Sequence, residues 1–186
     1  TAGDFEYAWK RVLDPALGMP LASLLDDIKG VRAFRSGLVP DPDSVGVKAL
    51  DEVTLDVDLE GPTGYFLHLL ANTIAFPVPR HVVELHGEDW AEPENIVTCG
   101  PFRLEAWQPG ELMSLARNPK YPGRFTGNLE HVELHLSGSD PTASLEMYER
   151  DRLDVVDITE FEAGGVRQRH AGEYRRISQL VTVYLQ

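Results

Sequence analysis

The sequence predicts an α+β fold built from short helices and mostly antiparallel or mixed sheet. Three observations predict it. Apolar residues recur at helical spacing at the start of the chain. Clean period-two alternation sets in after residue 45 and again after Gly100. Proline and glycine punctuate the chain between these short elements, and no internal repeat is found.

The elements follow in order. From Asp4 to Leu13, Phe5, Ala8, Trp9 and Val12 share one helical face, with acidic residues early and Lys10 and Arg11 late, as the helix dipole favours. "DPALGMP" ends that helix. Leu21, Leu24, Leu25 and Ile28 predict a short second helix that stops at Gly30. "RSGLVPDPDSVG" is a loop. In "VGVKALDEVTLDVDLEGP", Val53, Leu55, Val57 and Leu59 point one way and Thr54, Asp56 and Asp58 the other, so this stretch forms a β-hairpin closed by Pro62. "TGYFLHLLAN" starts a helix that buries Phe66, Leu69 and Leu70, and "FPVPRHVVELHG" is a proline-set turn leading into a brief helix.

The rhythm changes at Gly100. Phe102, Leu104 and Ala106 alternate, "ELMSLARNP" alternates again, "HVELHL" places Val132, Leu134 and Leu136 on one face, and "LVTVYLQ" is a final strand. Between them lies one helix, "SDPTASLEMYERDR", with Asp140 as its N-cap, Pro141 at its first position, and Leu145 and Tyr148 on a shared face.

Composition excludes several function classes. The 186 residues carry a net charge of -13, enough chain for one large domain or two small ones. Lysine and arginine occur singly or in pairs, so no basic face exists to neutralise phosphates, and this segment is expected to bind no nucleic acid; an anionic membrane surface would repel it. No apolar run approaches a membrane span. The N-terminus lacks the basic and apolar regions of a secretion signal, and the chain reads as though cut from something longer, with Thr1 to Asp4 already leading into a helix.

Enzyme signatures are missing: no GxSxG elbow, no glycine-rich phosphate loop, no HExxH pair, and no Cys/His cluster to hold a metal. His131 and His135 lie four apart on a strand, more than about 10 Å from each other by strand rise, and are expected to be solvated. Arg80, His81, Glu84 and His86 surround a short helix as surface residues, and Asp26-Asp27 and Asp56/Asp58 fall on polar faces. No catalytic residue, metal or cofactor is expected. Cys99, the single cysteine, has no basic neighbour to lower its pKa, and is expected to be a buried, inert small hydrophobe. Gly100, before a proline at the start of a strand, is expected to supply a backbone conformation or close approach denied to other residues, which suits a crossover between lobes.

The segments "DFEYAWKRVLDP", "GVKALDEVTLDVDLEGPTGYFLHLLA", "FPVPRHVVELHG", "WAEPENIVTCGPFRLEAWQPGELMSLARNPKY" and "DPTASLEMYERDRLDVVDI" appear in the order found in the solute-binding proteins of oligopeptide and dipeptide ABC transporters. The chain resembles that family over nearly its whole length. The resemblance implies a fragment of a periplasmic-binding-protein-like type II fold, comprising most of the extra domain, residues 1–98, plus part of the first lobe, residues 99–186, which ends at a hinge strand. It implies an extracytoplasmic, non-catalytic receptor, periplasmic or a cell-surface lipoprotein. Such a receptor closes over a peptide or similar small solute and passes it to ABC transporter permease subunits, meeting the membrane only through an anchor or the permease.

Thr98, Gly100 and Phe102 at the junction, and Thr182 and Tyr184 on the terminal strand, are the cleft or hinge candidates. The chain also departs from the family. The leading strand of the first lobe and the entire second lobe have no counterpart here, so an intact cleft is not expected from these residues alone. Asp151-Arg152 replace a usual glycine, a change the fold survives because aspartate tolerates the left-handed conformation a helix end often needs. A second reading is a ligand-sensing domain of the same fold inside a transcriptional or signalling regulator, which would place the protein in the cytoplasm.

Overall fold

The computed structural model describes residues 1–136, 141–158 and 160–176. Among the described residues six α-helices run Ala2–Leu13 (α1), Val31–Arg35 (α2), Phe66–Leu69 (α3), Arg80–His86 (α4), Pro141–Glu149 (α5) and Glu160–Arg169 (α6). The strands are Val47–Ala49 (β1), Leu55–Val57 (β2), Phe102–Gln108 (β3), Leu112–Arg117 (β4) and His131–His135 (β5). β1 and β2 form an antiparallel hairpin in which Val47 faces Val57 and Ala49 faces Leu55. The other strands form a sheet in the order β3-β4-β5. Arg117 N–H donates to Glu130 C=O and Leu136 N–H to Glu111 C=O, an antiparallel register for β4 and β5. Thr182, Tyr184, the strand expected over "LVTVYLQ" and the Asp140 cap lie outside the described residues.

The chain divides into two compact units, Thr1–Trp107 with Leu115–Val132, and Gln108–Ser114 with Glu133–Gln186. In the first, α1 lies on the hairpin. Trp9, Leu13, Leu25, Ile28, Val31 and Val47 are fully buried, and Phe34, Val45, Phe66 and Ala75 complete the cluster. The Trp9 indole N–H reaches the Ala75 carbonyl at 2.9 Å, so the largest core side chain also satisfies its polar atom. Asp4 accepts the Arg80 N–H at 3.1 Å, which links the start of α1 to the start of α4.

Glu6 fastens α1 to the hairpin. One carboxylate oxygen accepts Lys10 Nζ at 2.7 Å and the other accepts the Ala49 N–H at 2.8 Å. Lys10 extends the link to Asp43 at 2.8 Å. Burial opposes ionisation of Glu6, but the Ala49 N–H and the Lys10 ammonium outweigh it and hold the carboxyl below its ordinary value.

Two expectations about this unit are corrected. The apolar run from Leu21 to Ile28 forms only a 3-10 turn, Ala22–Leu25, and Gly30 begins a helix rather than ending one. The reason is competition from the hairpin. Ile28 bridges to Leu59, Lys29 N–H donates to Asp58 C=O, and Gly46 N–H donates to Lys29 C=O, so this backbone is drawn into sheet-like bonding. The chain then reverses at Gly30, whose φ of 78° and 2.3 Å separation between a would-be Cβ and Ser44 O admit no side chain. Val53, expected on the buried face, is 90% exposed because it sits in the hairpin turn, while Leu55, Val57 and Leu59 pack against the core as expected.

In the second unit, Leu145 of α5 and Val166 of α6 are buried. His170 lies 3.2 Å from both Glu149 and Glu173, and Tyr148 Oη donates to Glu173 at 2.8 Å. Asp151, just past α5, adopts φ 56°, the left-handed conformation expected of it. The apolar face expected on β5 is only partly covered: Leu134 and Leu136 remain 43% and 38% exposed.

Candidate functional site

Residues 98–102, the stretch expected to form the junction, lie inside the first compact unit and are held by a turn that follows β4. Thr98 Oγ1 accepts the Gly100 N–H at 3.0 Å, a local side-chain turn of the kind threonine favours. The Gly100 carbonyl accepts Asn118 Nδ2 at 2.8 Å, and the Pro101 carbonyl accepts the Asn118 N–H at 2.8 Å. Asn118 Oδ1 in turn accepts the Lys120 N–H at 3.0 Å.

Phe102, the first residue of β3, meets Phe125 edge to face at 5.5 Å between ring centres. The Arg117 guanidinium lies 4.8 Å from the Phe125 ring centre, and Glu130 balances its charge at 2.8 Å. Pro101, Arg117, Asn118, Tyr121 and Phe125 line a shallow hollow of about 240 Å³.

Three of the five residues singled out in the sequence, Thr98, Gly100 and Phe102, are thus brought together and half-buried. The other two, Thr182 and Tyr184, lie outside the described residues. Asn118, Arg117 and Phe125 were missed, although the asparagine before a proline in "ARNPKY" is itself a turn signal.

Two expectations about the junction are corrected. Cys99 is exposed, not buried. Thr98 folds back onto the Gly100 N–H and leaves the intervening side chain turned outward. Gly100 occupies neither the left-handed region nor a close approach: an added Cβ would stand 3.4 Å from Thr98 Oγ1 and 3.7 Å from Phe102 O, ordinary contact distances. What holds the junction is hydrogen bonding from Asn118.

The other polar clusters serve the fold. Asp26 pairs with Arg35, and Asp27 accepts the Tyr65 hydroxyl at 2.7 Å. Arg80 pairs with Glu84 at 2.7 Å and lies over the Tyr7 ring. His131 and His135 are exposed and lean toward different carboxylates, Glu105 and Glu133. No three His, Cys, Asp or Glu side chains among the described residues gather to hold a metal ion, and no helix among them is long and apolar enough to cross a membrane. At residues 98–102 the Gly100 and Pro101 carbonyls already accept from Asn118 and the Thr98 hydroxyl oxygen from the Gly100 N–H, so what remains for a ligand is the shallow hollow beside Phe125.

A family model described as bacterial extracellular solute-binding proteins, family 5 Middle, matches residues 1–186. The chain is 34% identical over 186 residues to the probable deoxycholate-binding periplasmic protein YgiS of Escherichia coli, covering 99% of this chain and 34% of that protein. It is 42% identical over 158 residues to the periplasmic oligopeptide-binding protein OppA of Salmonella typhimurium, covering 84% of this chain and 29% of that protein. Among solved structures, the Escherichia coli murein tripeptide binding protein MppA matches with a TM-score of 0.84 at 28% identity, over 93% of this chain and 34% of the other. Haemophilus influenzae OppA in complex with RPPGFSPFR matches with a TM-score of 0.83 at 28% identity, again over 93% and 34%. The chain therefore spans 29 to 34% of the length of these proteins, and over 93% of its own length its fold matches the corresponding third of the two solved structures.

Proposed function

The chain belongs to the bacterial extracellular solute-binding proteins of family 5, and from that premise we propose that it forms part of a receptor that captures a peptide or similar small solute for an ABC importer, without chemistry. The observation that carries this reading is the family match across all 186 residues.

In this reading residues 1–98 belong to the extra domain and residues 99–186 to the first lobe. Thr98, Gly100 and Phe102 at the junction, with Thr182 and Tyr184, line the cleft or hinge. A solute that touches both lobes of the receptor favours the closed form by the difference in its affinity for the two forms, and closure signals occupancy to the permease. The receptor works outside the cytoplasmic membrane.

A second solute class has a specific observation behind it: the relative named for deoxycholate aligns over 99% of the chain, so an amphipathic steroid acid stands beside peptides as a ligand. Calorimetry on the protein as its gene encodes it tests both, with a mixed peptide pool and with deoxycholate as separate titrants. Heat of binding for one of them, with the ligand recovered at unchanged mass, is expected. Cleaved peptide, or no heat with either titrant, would overturn the proposal.

A further inference from the structure

We propose that Asn118 is the positioning residue of the 98–102 junction: it fixes the path of the chain into β3, and through it the affinity of the receptor for its solute. The proposal rests on the reading of Thr98, Gly100 and Phe102 as cleft or hinge residues, and its test separates the two.

Gly100 and Pro101 together carry three backbone polar groups, because proline has no N–H. Thr98 satisfies the Gly100 N–H, and Asn118 satisfies both carbonyls, one with its side chain and one with its main chain. A single residue from another part of the chain therefore anchors two consecutive peptide units. The side chain has to be an amide of this length. Nδ2 donates to Gly100 while Oδ1 accepts from Lys120 N–H, so both ends of the amide are used at once. Aspartate offers acceptors only and would set a carboxylate against the Gly100 carbonyl, and alanine offers nothing. The turn after β4 also supplies Phe125, which meets Phe102. Gly100 and Pro101 are thus held by Asn118, and the next residue by an aromatic seven positions further on.

Asn118→Asp separates the roles, because it retains the acceptor for Lys120 N–H and loses the donor to Gly100. Asn118→Ala, which keeps only the main-chain bond to Pro101, serves as the second variant if the carboxylate prevents folding. Both are compared with the unmutated protein, as its gene encodes it, by calorimetry with an oligopeptide mixture at a temperature where circular dichroism shows the variant folded. Loss of one net hydrogen bond at the junction should weaken peptide binding, by up to about tenfold where the bond holds only the binding-competent path of the chain. It should also speed hydrogen exchange at the Gly100 and Phe102 amides, with Lys120 unchanged in the aspartate variant. Unchanged affinity in a folded variant would overturn the link to binding, and unchanged exchange at Gly100 and Phe102 would overturn the clamp itself. If the unmutated protein binds neither the peptides nor deoxycholate, the receptor reading has failed and not the clamp, which the exchange measurement still decides.

Discussion

Glu6 uses both carboxylate oxygens inside the protein, one on Lys10 and one on the Ala49 N–H. Its pKa is lowered in the folded state, so its stabilisation is fully present above the ordinary glutamate range and is lost as pH falls through the lowered value. Glu6→Gln should therefore cost about 1–2 kcal/mol at neutral pH. The gap to the unmutated protein should close as the pH drops below the carboxylate range, which thermal denaturation across pH would reveal. Two glycines give an opposed pair. A Cβ on Gly46 would meet Asp58 Cβ and O at 2.9 Å, against the partner strand's backbone, and Gly46→Ala should lose about 1–3 kcal/mol. Gly100→Ala, facing only ordinary contacts, should stay within about 0.5 kcal/mol in the same melting experiment. At this scale the sequence was legible where chemistry is local: the left-handed Asp151 follows from aspartate at a helix end. It misled where partners are distant. Nothing near Gly100 in sequence announces Asn118, eighteen residues on, and the burial expected of Cys99 came from the habit of cysteines in general, not from this turn.

Elements were readable where the period was long or the faces distinct. The helical face of Phe5, Ala8, Trp9 and Val12 and the alternation of Leu55, Val57 and Leu59 both describe real packing against one core. α2 was hidden because the apolar residues before it looked helical, while the backbone at Ile28 and Lys29 is committed to the hairpin. α6 was hidden for a different reason: Gly164 and Gly165 sit inside it, and each costs a helix about 1 kcal/mol relative to alanine. The burial of Val166 offsets part of that cost. An added Cβ at Gly164 meets nothing within 4 Å, so Gly164→Ala should raise stability by about 0.4–1 kcal/mol, a small increase in the denaturant midpoint. A loss instead would mean that this stretch is not helical in solution.

For the molecule as a whole, the family was readable because several segments occur in a fixed order, and the match over residues 1–186 agrees with it. Ligand identity was not readable, because the relatives that share the scaffold are named for different solutes and the chain spans about a third of their length. The central claim is that the 98–102 junction forms part of the cleft or hinge of a solute receptor. Hydrogen–deuterium exchange on the protein as its gene encodes it, with and without a saturating peptide mixture, tests it most directly. Slower exchange on binding at residues 98–102 and 180–186 is the predicted result. Peptide binding that slows exchange elsewhere and leaves both segments unchanged would contradict it.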